Sequence, residues 1–172
     1  MRIAAYTAGM LAVTFIACGA NAQTPIAPSP KDFVMAAAQS DQYEILVARV
    51  AITQSRDPRV VSFAQMMIRD YTHMTGDLRA AAQASRLPPP DAGMSGDQAS
   101  MLSSLQSLRG AGFDKTYLRQ QMLAHTQALA VEDNFATAGA NPKLRKTARS
   151  SLLVIEEHLK MAHQLSAGMD IQ

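Results

Sequence analysis

Three long apolar stripes in this sequence are each preceded by a residue with a short oxygen-bearing side chain followed directly by proline: Ser29-Pro30, Asp57-Pro58 and Asn141-Pro142. Such a side chain can accept hydrogen bonds from the free N–H groups of a helix's first turn. Proline suits the first helical position because it has no N–H to leave unsatisfied. Each pair therefore predicts a helix start, and an apolar stripe of helical spacing follows each one. After Ser29-Pro30 the positions Phe33, Ala37, Ser40, Glu44, Val47 and Ala51 alternate by four and three residues, giving a first helix over roughly 30–54. After Asp57-Pro58 the seam is Val60, Ala64, Met67, Tyr71, Met74, Leu78 and Ala81, over roughly 58–85. It stops at "RLPPPDAGMSGD", whose prolines cannot continue a helix. After Asn141-Pro142 the seam is Leu144, Ala148, Ser151, Ile155, His158, Ala162 and Leu165, over roughly 142–166. A further long periodic segment, roughly 113–138, follows "GAGFD" and ends at "AGAN", and a shorter amphipathic piece runs from about Asp97 to Arg109.

No stretch alternates with period two over a useful length, so no strand is expected. Four long helices with one apolar stripe each bury those stripes best against one another, as a four-helix bundle. The connection of roughly 27 residues between the second and third long helices is long enough for the crossover of ferritin-like bundles. The expected fold is all-α: a ferritin-like four-helix bundle with a long connection carrying a short helix. Composition agrees, since the chain is 48% hydrophobic yet has no Trp, 5% aromatics and 11 Met. A core of small and flexible aliphatic residues suits close-packed helices. The net charge of +2 is nearly balanced and the cations form no stripe, so nucleic-acid binding lacks its electrostatic footprint.

The 172 residues favour one domain with appendages. "MRIAAYTAGMLAVTFIACGANAQ" has an early cation at Arg2, an apolar run, and then Ala20-Asn21-Ala22, which fits a small-x-small cleavage site. Residues 1–22 are read as a secretory signal peptide and 23–30 as a Pro-rich tether. Residues 31–167 form the bundle and 168–172 a tail. The run is too short to span a bilayer comfortably, so the mature chain is expected to have no transmembrane span. Phe15-Ile16-Ala17-Cys18 also loosely resembles a lipoprotein box, which would make an outer-membrane lipoprotein anchored through Cys18. Phe15 is a poor substitute for the usual Leu, so a free periplasmic protein is the preferred reading. Cys18 then leaves with the signal peptide, which excludes disulfides, Cys-ligated metals and Cys nucleophiles from the mature chain.

Several ionisable residues interrupt the stripes. A helix turns about 100° per residue, which places Glu44 and His158 on their seams, and His125 and Glu132 within about 60° of the third long helix's apolar centre. Asp70 falls at the edge of the second stripe, while His73, Glu157 and His163 point away. Glu44, Asp70 and His125 lie near the middles of their helices, and His158 about one turn further on, so the four meet at one level. Glu132 lies about 10 Å beyond His125 along the axis, outside that level. Buried charge must be satisfied. Mutual hydrogen bonding of Glu44 and Asp70 with His125 and His158 does this most simply. The alternative is a divalent transition metal held by Glu44, Asp70, His125 and His158.

"FVMAAAQSDQYEILVARVA", "VVSFAQMMIRDYTHMTGDL", "GFDKTYLRQQMLAHTQAL" and "HLKMAHQL" together resemble the bacterial exported family called domain of unknown function 4142, from about Lys31 to Leu165. The resemblance implies a ferritin-like four-helix fold, a periplasmic or outer-membrane-associated location, and no established activity. It also implies a Glu in the first helix, an Asp-His pair in the second and a His in each of the last two. Glu44, Asp70, His125 and His158 match, but Tyr71 stands where the second helix's His is expected. That departure removes one ligand from the seam.

Other chemistries fare worse. Asp70-x-x-His73 mimics a di-iron spacing once, but the last helix offers no inward carboxylate near His158, so a ferroxidase is not expected. Met66, Met67, Met74, Met122 and Met161 invite comparison with Cu(I) sites. Thioethers fill irregular helical cores far more often, and these residues are read as core. No nucleophile triad, phosphate loop or dinucleotide fingerprint is visible. The expected function is that of an exported non-catalytic helical bundle, an envelope structural or stress component. The alternative is a periplasmic metal-binding bundle. The sequence names no protein partner.

Overall fold

The computed structural model describes residues 28–90 and 93–169, all of whose regular structure is helical. Its elements are α1 (Pro30–Gln54), α2 (Pro58–Ala84), α3 (Gly96–Gln106), α4 (Gly110–Ala138) and α5 (Pro142–Met169). The signal peptide expected at 1–22, most of the tether at 23–30 and the end of the tail lie outside the described residues. The expected domain end at 167 falls inside α5.

The predicted caps are present. Ser29 Oγ accepts from the Asp32 N–H at 3.5 Å, and Asp57 Oδ1 from the Arg59 N–H at 2.8 Å. Asn141 Oδ1 accepts from both Lys143 N–H and Leu144 N–H, at 3.0 and 3.1 Å. α3 opens on a reciprocal box in which Ser95 and Gln98 exchange side-chain and backbone hydrogen bonds. α4 begins three residues before the predicted start, at Gly110, without a side-chain cap. Gly110 takes a φ of 58°, a left-handed turn that admits Gly without strain. Arg109 fixes this corner by donating to Gln54 Oε1 and to the carbonyls of Gln106 and Leu108. α2 ends with Arg86 also left-handed, at φ 58°, while Leu87 N–H reaches back to the Ala82 carbonyl.

The long helices pack in a ring. α1 lies against α2 and α4, and α5 lies against α4 and α2; α3 covers α1 and α4 from outside. Three-residue turns, 55–57 and 139–141, join α1 to α2 and α4 to α5 as two antiparallel hairpins. α1 and α4 are also antiparallel, because Phe33 stacks on Phe135 while Glu44 meets Gln121. α2 and α5 are antiparallel too, since Lys143 Nζ at the start of α5 donates to the Ala84 carbonyl at the end of α2. α2 and α4 therefore run the same way, and the segment carrying α3 returns the chain from one end of the ring to the other.

The apolar interior is in two parts. The larger part includes Val47, Phe63, Met67, Tyr71, Phe113, Tyr117, Leu118 and Ile155; the smaller is built around Phe33, Leu78, Phe135 and Leu144. Polar residues sit inside the larger part and also where the two parts separate.

Candidate functional site

The ionisable residues placed by helical rotation divide into an inward and an outward set. Glu44, His125 and His158 are 0%, 0% and 2% exposed, and Glu132 is buried, while His73, Glu157 and His163 face solvent. Asp70, read as an edge position, has a side chain 36% exposed. Glu44, Asp70, His125 and His158 come together as two pairs. Glu44 Oε1 lies 3.6 Å from His125 Nδ1, and Asp70 Oδ2 lies 3.0 Å from His158 Nε2. The two imidazole rings are 5.7 Å apart, centre to centre.

The inner pairing differs from the one expected. His125 Nδ1 is 2.8 Å from the Gln121 carbonyl, which can only accept, so Nδ1 carries the hydrogen and spends it there. Nε2 then keeps its lone pair and accepts from the Tyr71 hydroxyl at 3.3 Å. Glu44 is held instead by Gln121, whose Nε2 donates to Oε2 at 2.7 Å. Gln121 lies one helical turn before His125 on the same face, so its part in the layer was open to the same rotation argument. Tyr71 does more than leave out a ligand: its hydroxyl closes off the His125 nitrogen that a metal would use.

Burial keeps this layer neutral. It drives the Glu44 carboxyl up to about 8, against the opposing Gln121 hydrogen bond, with the nearby Asp41 carboxyl adding to the rise. It drives His125 down to about 4, against the Gln121 carbonyl, with His158 adding to the fall. His158 is also lowered by burial, with its bond to Asp70 opposing. An imidazole that stays unprotonated until about pH 4 is a poor base at neutral pH.

No three His, Cys, Asp or Glu side chains are gathered to hold a metal among the described residues. The inner pair does not fit one, because both nitrogens of His125 are engaged. The outer pair is different. Asp70 and His158 meet at the partly exposed α2–α5 seam, and His158 Nδ1 is buried without a hydrogen-bond partner. Met66 lies one turn before Asp70 on α2 and Met161 three residues after His158 on α5; both line a surface groove of about 430 Å³ between those helices. Thioether and imidazole donors in combination suit a soft ion such as Cu(I).

Three buried acids stand apart from this layer: Asp41, Asp114 and Glu132. Asp41 and Glu132 are 4% and 5% exposed and line another cavity. Asp41 lies three residues before Glu44, a spacing that carries it to the same inner face of α1.

No curated protein matches the sequence. Among solved structures, CopM in its Cu(II)-bound form is similar at a TM-score of 0.70 and 20% identity, covering 83% of this chain and 99% of that one. CopM in a silver-bound form gives 0.67 and 20%, covering 82% and 97%. A DUF305 protein of Streptomyces coelicolor, described as secreted, gives 0.71 and 15%, covering 83% and 94%. At these identities the likeness is one of fold. The family described as Domain of unknown function (DUF4142) matches residues 17–165, nearly the whole sequence, and the chain belongs to that family.

Proposed function

We propose that this protein is an exported, non-catalytic helical bundle of ferritin-like arrangement that binds a soft metal ion at its α2–α5 face. The observation that carries this reading is the Asp70–His158 pair at 3.0 Å beside a groove lined by Met66 and Met161. His158 and the two thioethers would hold the ion, with Asp70 orienting the imidazole and balancing charge. A ligated His that donates its other nitrogen, or shares it with a carboxylate, is a common way of fixing the ring. Glu44 and His125 serve the fold. The copper- and silver-bound forms of CopM support the choice of metal, and the secreted DUF305 protein supports export. No helix among the described residues is long and apolar enough to cross a membrane.

The test is metal analysis of untagged protein from the exported fraction, its N-terminus read by mass spectrometry and expected at Gln23. One Cu(I) per chain should survive competition with a chromophoric chelator under reducing conditions. Met66→Leu with Met161→Leu should weaken retention at least tenfold, and Met122→Leu should leave it unchanged. Retention unaffected by the double change would overturn the site. Absence of bound Cu(I) would leave an envelope component acting through its surface, a reading supported by the neutral, hydrogen-bonded inner layer.

A further inference from the structure

Between α1 and α4, where the two parts of the apolar interior separate, lies a cavity of about 180 Å³. Ala37, Ala128 and Ile155 line its apolar side, Tyr71 also reaches it, and Ser40, Gln98 and Gln127 add polar side chains to the lining. Asp41 and Glu132 line it from opposite helices. Asp41 Oδ2 accepts a hydrogen bond from Thr75 at 2.9 Å. Glu132 Oε2 is buried with no hydrogen-bond partner, although the residue is only 5% exposed. A buried carboxyl oxygen facing a cavity without a donor has a donor's place open in front of it.

The spacing of the two acids narrows the choice of donor. On antiparallel α1 and α4, Glu44 meets Gln121 and Phe33 meets Phe135, so Glu132 stands level with residues 33–36 of α1. That is five to eight residues from Asp41, or about 10 Å along the axis at the rise of a helix. Side chains lean toward the N-terminus of their own helix, and on antiparallel helices these two lean toward each other. The carboxyl groups consequently face each other along the cavity without meeting, close enough for the charge of Asp41 to raise Glu132. An oxygen-liganded metal ion takes about six or more ligands, and no third His, Cys, Asp or Glu joins these two acids among the described residues. Two cationic heads joined by a short apolar chain match both the acids and the wall between them. The volume is below the roughly 300–1,000 Å³ of pockets for drug-sized ligands, so the occupant is small.

We propose that this cavity binds a short linear organic diammonium ion, one ammonium group at Asp41 and the other at Glu132, with its alkyl chain against the alanine wall. The charged and titratable groups sensed at these acids are Glu44 on α1 and Tyr71 and Arg79 on α2, of which Arg79 alone is a cation. Burial holds the empty-site acids at about 7 for Asp41 and about 8 for Glu132, so near neutral pH the entering dication displaces up to two protons to solvent. This site is separate from the Asp70–His158 face and does not depend on it.

Calorimetric titration of the mature protein with 1,4-diaminobutane at pH 7.5, in two buffers of different ionisation enthalpy, tests the proposal. The expected result is one site per chain, proton release on binding, and affinity that rises between pH 6.5 and 8.5. Asp41→Asn and Glu132→Gln should each weaken binding at least tenfold with the helical spectrum unchanged. Ala36→Leu, which narrows the cavity and keeps both acids, should do the same and serves if either acid variant fails to fold. Absence of saturable binding at 10 mM diamine, equal binding by butylamine, or competition by Mg²⁺ at equal concentration would overturn the proposal.

Discussion

His125 shows how one side chain can be fully buried and polar at once. Its two nitrogens are spent on Gln121 and Tyr71, so truncation leaves the Tyr71 hydroxyl short of a partner and removes the second bond to a Gln121 carbonyl that the helix already engages. His125→Ala should therefore cost about 1–3 kcal/mol in a urea denaturation experiment. His73→Ala removes only an exposed contact with Asp77 and should cost less than about 0.5 kcal/mol. The buried acids set a pH dependence whose sign follows from their direction of shift. Asp41, Glu44 and Glu132 rise from 3.8, 4.5 and 4.5 in their ordinary state to about 7, 8 and 8. Between those limits the unfolded chain gives up protons that the folded chain keeps, so their stabilisation is full at low pH and is lost as pH rises. His125, lowered from 6.5 to about 4, runs oppositely: its contribution is lost as pH falls through that window. Above pH 6.5 the opposing contribution of the histidines fades and the acids dominate. The melting temperature should fall from pH 6.5 to 8.5, and Glu44→Gln should flatten that fall. Helical rotation made the burial of Glu44, His125 and His158 legible in the sequence. The partners were not, because whether His125 bonds Glu44 or a backbone carbonyl turns on a difference below 1 Å between its two contacts, at 3.6 and 2.8 Å.

At the scale of the helix, starts with a capping side chain followed by proline were readable and the start of α4 was not. Gly110, Ala111 and Gly112 carry no capping side chain and read locally as a loop. Arg109 instead gathers carbonyls at the end of α3 and the Gln54 side chain, a tertiary arrangement without a local signature. Gly139 closes α4 for a comparable reason: a Cβ there would stand 2.6 Å from the Phe135 carbonyl oxygen and 2.7 Å from its ring. Arg86 is the opposite case, a side-chain-bearing residue in the left-handed turn that ends α2. Left-handed backbone costs an ordinary residue about 1–2 kcal/mol, part of which glycine gives back through the greater freedom of its unfolded chain. Arg86→Gly should stabilise the protein by about 0.5–1 kcal/mol, read as a rise in the denaturation midpoint with an unchanged slope.

Across the whole molecule the bonds that join one side chain of the polar layer to another have one property in common. Glu44–Gln121 and Tyr43–Gln120 join α1 to α4, Tyr71–His125 joins α2 to α4, and Asp70–His158 joins α2 to α5. Each crosses from one hairpin to the other. The hairpins themselves close through three-residue turns, so their contacts are near in sequence and form early, whereas the layer waits for a meeting of distant segments. Interactions absent from the folding transition state affect the rate of leaving the native state and not the rate of reaching it. The loss in His125→Ala should therefore appear almost wholly as faster unfolding in stopped-flow traces, with the refolding arm superimposing on wild type. The polar layer is then a lock on lifetime: it slows the opening of an already assembled molecule and takes no part in assembling it.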